Sequence, residues 1–222
     1  MDTSTFANPA VVGFSKEYVF AHVDGSIDTA LERQLGIGGH PTIILFKPDG
    51  KEVDRLFGYY AADSFMLEIT NYLAGINTLD DYLKRAAAAP NDPRLQYAIG
   101  DKYTARAKFD LARVHYKRVM ELDSRNETKL ADDAAYYLGF GSRKAKKWQQ
   151  AIEDFRAMIK AYPESELRED AEEYIPYLYT QAGDSTQALR YYREFHKNFP
   201  ASKETTWVRE QIDKIEHPPA KK

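Results

Sequence analysis

A chain of 222 residues is long enough to bury a sizeable core in one large or two small domains. Its 43% hydrophobic and 29% charged residues are the proportions of an ordinary globular protein, and a net charge of -3 gives no field that favours nucleic acid or an anionic membrane. With no cysteine, the chain as written excludes disulfides, thiolate metal sites and thiol nucleophiles. No apolar run approaches the roughly 18 residues of a membrane helix, so no membrane insertion is expected. No basic region followed by an apolar core, the mark of a signal peptide, is written in these residues.

Strand and helix signals mix up to about residue 75. Tyr18 to Val23 is a short apolar, β-branched and aromatic run ending at Asp24-Gly25, which predicts a strand and a turn. Asp28 to Leu35 predicts a short helix stopped by Gly36. Thr42 to Phe46 predicts a buried strand entered through His40-Pro41. Pro48-Asp49-Gly50 predicts a tight turn, and Val53 to Phe57 a returning strand. In Asp63 to Leu73, apolar residues Phe65, Met66, Ile69, Tyr72 and Leu73 recur at helical spacing before Gly75.

From Asn77 the text is helical. Asn77 to Ala89 predicts a connecting helix. Pro90 and Pro93 each end or begin a helix. Three similar segments then follow, centred on Ala112, Ala151 and Ala188, which lie 39 and then 37 residues apart. Tyr116, Phe155 and Tyr192 each follow their alanine by four positions, so small residue and aromatic share one helix face. Gly100 and Gly139 stand at matching positions before Ala112 and Ala151, and Tyr103 follows Gly100. Ser124, Pro163 and Pro200 stand at matching positions after the three alanines. Pro176 replaces the expected glycine of the third segment and predicts a kink or an early helix end. Thr206 to Glu216, with Trp207, Val208 and Ile212 on one side, predicts a polar capping helix.

The stretch Leu35-Gly-Ile-Gly-Gly-His40-Pro41-Thr-Ile-Ile-Leu-Phe46-Lys-Pro-Asp49-Gly50 resembles the second half of a thioredoxin fold, with Pro41 in the place of that family's cis-proline. The resemblance implies that Met1 to Val11 stands just past a C-x-x-C motif. It also implies that the central strand, between Tyr18–Val23 and Thr42–Phe46, is not among these residues. That would leave a gap one strand wide, roughly 4.8 Å, with unpaired edges on both sides. The motifs around Gly100, Tyr103, Ala112, Gly139, Ala151, Phe155, Pro163, Ala188 and Pro200 resemble tetratricopeptide repeats, whose period is about 34 residues. The endings Ala161-Tyr-Pro-Glu-Ser165 and Asn198-Phe-Pro-Ala-Ser202 resemble the variant of bacterial envelope repeat proteins. The expected fold class is α/β plus all-α: an incomplete thioredoxin-like domain over 1–75, a connecting helix and linker over 76–92, and three tetratricopeptide-like repeats with a cap over 93–217.

Gly39, His40 and Pro41 are the sharpest candidate site. In the thioredoxin family the residues at the cis-proline contact an extended substrate by strand addition, and His40 would lie beside a thiolate. Read from these residues alone, His40 is equally a loop residue and Pro41 a shaper of the turn. Gly36-x-Gly38-Gly39 stands between helix and strand in the reverse of the dinucleotide-binding order, so it predicts no phosphate loop. The five histidines show no ligand spacing, and no catalytic residue, metal or cofactor is expected. The repeat tyrosines Tyr136, Tyr137, Tyr174, Tyr177, Tyr179, Tyr191 and Tyr192 divide between core and a concave groove. Arg143-Lys-Ala-Lys-Lys147 reads as a solvated turn. Asn126-Glu-Thr128 reads as an inter-repeat turn. Protein or peptide partners are expected and nucleic acid is not. The resemblance favours a bacterial periplasm or envelope, and a parent thiol–disulfide oxidoreductase. The alternative is a structural adaptor that never carried cysteines.

Overall fold

The computed structural model describes residues 4–25 and 27–218. It divides into two compact bodies, one up to His115 and one from Tyr116.

The first body starts with α1 (Pro9–Phe14), whose first turn is fixed by Pro9 and capped by Asn8, the side chain accepting from the Ala10 amide. Helix α2 (Thr29–Leu35) is capped by Asp28 and closed by Gly36 at φ 60°. Strands β1 (Thr42–Phe46) and β2 (Glu52–Phe57) pair antiparallel, with an irregularity between Leu45 and Phe46. Their turn closes through the Lys47 amide donating to the Lys51 carbonyl at 2.8 Å, with Gly50 at φ 82°. Helices α3 (Ala62–Leu73), α4 (Leu79–Ala88) and α5 (Pro93–Ala105) follow. Val11, Leu56, Phe65, Ile69 and Tyr72 form one core, with Phe6 edge-on to Phe65 at 5.7 Å. Ala86, Leu95 and Ile99 form a smaller one between α4 and α5.

The expected strand at Tyr18–Val23 does not form; the segment is irregular, and Val19 is 98% exposed. A strand exists only by pairing, and β1 pairs with β2 alone among the described residues. Aromatic contacts hold this segment instead: Tyr18 stacks on Phe14 at 4.2 Å, and Phe20 lies edge-on to Phe6 and Phe14, each at 6.4 Å.

Helix α6 (Phe109–Leu122) spans the division between the two bodies. In the second body α7 (Ala131–Lys144), α8 (Trp148–Ala161), α9 (Arg168–Gln181), α10 (Ser185–Asn198) and α11 (Thr205–Glu216) pack each on the next. The Asn126 side chain accepts from the amides of Ala131 and Asp132, so the turn expected there also caps α7. Helix α9 does not end at Pro176; it continues to Gln181 with Pro176 buried. Ile175 and Leu178 on either side are buried against α8, and this packing holds the helix although one amide donor is missing.

Candidate functional site

The His40–Pro41 peptide bond is cis, and it enters β1 from a glycine-rich loop. Gly38 and Gly39 are buried, while His40 and Pro41 are exposed. The His40 Nε2 lies 2.8 Å from Glu32 Oε1 on α2. Gly25 backs this pair: a Cβ there would stand 3.0 Å from the His40 ring and 3.4 Å from the Glu32 carboxyl carbon. Gly39 bonds through its carbonyl to the Thr42 hydroxyl at 2.6 Å.

The loop is gripped from below by the end of α5. The Gly38 amide donates to the Ala105 carbonyl at 3.2 Å. A Cβ on Gly38 would lie 1.9 Å from the Thr104 carbonyl oxygen, so only glycine permits this approach. Arg55 of β2 reaches the same place. Its Nη1 donates to the carbonyls of Leu35, Gly36 and Ala105 at 3.0, 3.0 and 3.2 Å. One guanidinium thus satisfies carbonyls at the ends of two helices, where the dipoles favour a cation. Its other edge forms a two-point pair with Glu52, at 2.9 and 2.5 Å.

Asp54 lies beside it, 0% exposed. Its Oδ1 accepts from the Arg55 amide at 2.6 Å and from Arg106 Nη2 at 2.8 Å. Its Oδ2 accepts from the Leu79 amide at 2.6 Å and lies 3.3 Å from Lys102 Nζ. Arg106 Nη2 also meets Glu52 Oε1 at 2.9 Å. Lys102 donates to the Tyr72 hydroxyl at 2.6 Å and sits 4.0 Å from that ring's centroid. Burial pushes the Lys102 ammonium below its ordinary 10.5, against the pull of Asp54. Burial pushes Asp101 up to about 6; Lys102 opposes the rise and Asp54 adds to it. Burial also raises the Tyr72 hydroxyl, with Asp54 adding to it.

This polar anchor was missed in the sequence. Its signal was the pair Asp54-Arg55 between the apolar residues Val53, Leu56 and Phe57, answered by Lys102 and Arg106 one helical turn apart. What the anchored loop can do chemically is present a cis-proline edge and an exposed imidazole to an extended chain. It holds no nucleophile.

The repeat positions stand apart from this loop. Gly100 is buried on α5, where Tyr103 stacks on His115 at 5.6 Å. Ala112 and Tyr116 are buried on α6, and Tyr116 stacks on Tyr137 at 5.6 Å. Gly139 faces Phe155: a Cβ would stand 2.7 Å from that ring. Ala151 and Phe155 on α8, and Ala188 and Tyr192 on α10, are buried in their own cores. Pro163 and Pro200 are exposed in the turns that end α8 and α10. The basic run is not wholly solvated: Lys144, Lys146 and Lys147 are exposed, but Arg143 is half-buried against aromatic rings. Among the described residues no group of acidic or histidine side chains is arranged to hold a metal ion, and no helix is long and apolar enough to cross a membrane.

A family model described as a thioredoxin-like domain matches residues 2–72. A second, described as an outer membrane lipoprotein, matches residues 128–210. No curated protein matches the chain. The chain therefore joins a thioredoxin-like region to a tetratricopeptide-like helical array.

Proposed function

We propose that this chain is a protein-interaction module in which the helical array docks partner proteins, and that its thioredoxin-like region belongs to a thiol–disulfide oxidoreductase. The observation that carries the reading is the thioredoxin-like match over 2–72, with a cis proline on an exposed loop next to a β1 edge that has no strand partner among the described residues. The lipoprotein match supports a location in the bacterial envelope. Without cysteine, the chain as written performs no thiol exchange. In the oxidoreductase, a thiolate would attack a substrate disulfide to form a mixed disulfide. Gly39, His40 and Pro41 would align the substrate backbone beside it.

Insulin disulfide reduction by this chain and by a form extended in frame at its N-terminus tests the redox half of the reading. Activity confined to the extended form is expected. A cysteine-free extension, or a folded and inactive one, leaves the non-catalytic adaptor. A photo-crosslinking residue at Tyr177 on α9 tests the docking half. Discrete crosslinked partners are expected in cells, and their absence would remove the array from the interaction.

A further inference from the structure

The C-terminal end of α2 rests on the C-terminal end of α5. A Cβ on Gly36, the residue that closes α2, would stand 3.1 Å from the Arg106 carbonyl oxygen, just past the end of α5. Two such ends repel, because each carries the negative pole of its helix dipole and a set of unpaired carbonyls. Arg55 removes the conflict. Its side chain is 4% exposed and donates to the Leu35 and Gly36 carbonyls of one end and to the Ala105 carbonyl of the other. Asp54 ties α5 to the backbone of the same arginine, since its Oδ1 accepts from both the Arg55 amide and Arg106 Nη2.

Two short paths lead from this junction to His40. Along α2, the Ile37 amide donates to the Glu32 carbonyl at 3.2 Å, and the Glu32 carboxylate meets His40 Nε2 at 2.8 Å. Along the loop, the Gly38 amide is held by the Ala105 carbonyl two residues before His40. The imidazole is placed through α2 on one side and through its own backbone on the other. Both placements start at the end of α5. Helix α5 is itself fixed to α6, where His115 Nδ1 lies 2.8 Å from Gln96 Oε1 and the ring stacks on Tyr103.

We propose that Arg55 and Arg106 are positioning residues for the His40 imidazole, through which the end of α5 sets how the Gly39–Pro41 loop meets a substrate chain. This rests on the reading that the loop aligns substrate. Neither arginine needs to touch that chain. An exposed ring on a loop keeps one orientation only when its supports are fixed, and small misplacements of an aligning group are expensive in rate. A guanidinium suits the junction because its rigid fork serves both helix ends and Glu52 together, which an ammonium cannot. A role confined to stability would lower the unfolding midpoint and leave the ring in place while the chain stays folded.

The test is nuclear magnetic resonance of the full chain, read at the contact between the His40 ring and the Gly25 α-protons. The ring Cε1 lies 3.0 Å from where a Gly25 Cβ would stand, so a strong nuclear Overhauser effect is expected in the unaltered chain. It should be lost in Arg55→Lys and weakened in Arg106→Met. Arg106→Lys, which can still pair with Asp54, should restore most of it. Gly36→Ala touches no charge, yet drives α2 off the Arg106 carbonyl, and should also weaken it. Unshifted signals from Leu56 and Phe65, both buried, report that a variant is folded. A full ring contact in folded Arg55→Lys, or in folded Gly36→Ala if Arg55→Lys does not fold, overturns the proposal and leaves the charges a stabilising role alone. Equal loss in Arg106→Met and Arg106→Lys overturns the part assigned to Arg106. Insulin reduction by the extended form is a separate readout, so the substrate reading and this positioning role can each fail without the other.

Discussion

The two bodies of this chain are stabilised by different chemistry. Beyond Tyr116, successive helices bury small and large apolar residues against one another, as with Ala151, Phe155, Ala171 and Leu178 in one continuous cluster. In the first body the apolar core is small, the sheet has two strands, and Val19, Phe20, Val23 and Ile27 remain exposed. There a buried set of charges, Glu52, Asp54, Arg55, Lys102 and Arg106, ties β2 to α5 and to the loop before Pro41. A repeat array gains by adding like faces. A region with an unpaired sheet edge has few apolar faces to add, and fixes its geometry with directional bonds instead.

The contrast can be broken by one substitution in each body. Phe155→Ala removes a ring that is 0% exposed, and about 3–5 kcal/mol of stability should go with it. Asp54→Ala leaves buried Lys102 without its carboxylate and takes one of two from Arg106, and should cost a similar amount, about 3–5 kcal/mol. Both tryptophans, Trp148 and Trp207, lie beyond Tyr116, so their fluorescence reports the second body while far-ultraviolet circular dichroism reports both. In urea, Phe155→Ala should move the fluorescence transition. Asp54→Ala should lower the dichroism midpoint and leave the fluorescence midpoint nearly in place. Coincident shifts in both variants would mean that the two chemistries serve one cooperative unit.

A milder version uses one substitution type in both places. Gly38→Ala drives a methyl into the Thr104 carbonyl, and Gly139→Ala drives one into the Phe155 ring. Each should cost about 1–3 kcal/mol by overpacking. Gly38→Ala should cost more, because a helix-end carbonyl has less room to give than a side chain. Thermal midpoints of the two variants check the order.

How legible each body was in the sequence follows from the same contrast. The repeats were readable because their packing is local and periodic: Ala151 and Phe155 lie one turn apart, and Gly139 faces them at a fixed spacing. The caps of α2 and the turn at Gly50 were readable for the same reason, since Asp28, Gly36 and Gly50 act on their immediate neighbours. Tyr18–Val23 misled because a strand pattern states a preference, while a ladder needs a second strand. The partners of Asp54 lie at Leu79, Lys102 and Arg106, far along the chain, and no period links them. Pro176 misled only as an early helix end, because the buried neighbours that hold α9 together belong to tertiary packing.

Asp101 in the first body and Glu173 in the second are carboxyls that burial makes costly, and pH separates them. Asp101 is pushed up to about 6 from 3.8 by burial. Glu173 is pushed up to about 7 from 4.5, by burial first and then by Glu204, Asp170 and Glu169 against Lys203. In both, folding favours the protonated form. The cost is fully present above the folded value and disappears below the unfolded one. These two groups therefore raise stability as pH falls, Glu173 between about 7 and 4.5 and Asp101 between about 6 and 3.8. Asp101→Asn and Glu173→Gln should each stabilise by about 1–2 kcal/mol at pH 8 and do little near pH 4. Urea midpoints at the two pH values would expose any variant that gains equally at both, a result that would assign its effect to something other than the charge.

The smallest effect is expected where the candidate site is most visible. His40 and Glu32 form a side-chain pair on the loop surface, with side chains 61% and 28% exposed. Exposed pairs contribute little, and a glutamine carbonyl can still accept from the imidazole, so Glu32→Gln should change stability by under about 0.5 kcal/mol. The loop is held from the other side, by Arg55 and the Ala105 carbonyl. Amide hydrogen exchange at Gly38 gives the comparison. It should accelerate in Arg55→Lys, which loses the three-carbonyl grip, and stay unchanged in Glu32→Gln. Acceleration in Glu32→Gln instead would move the anchor of the Pro41 loop from the buried network to its surface.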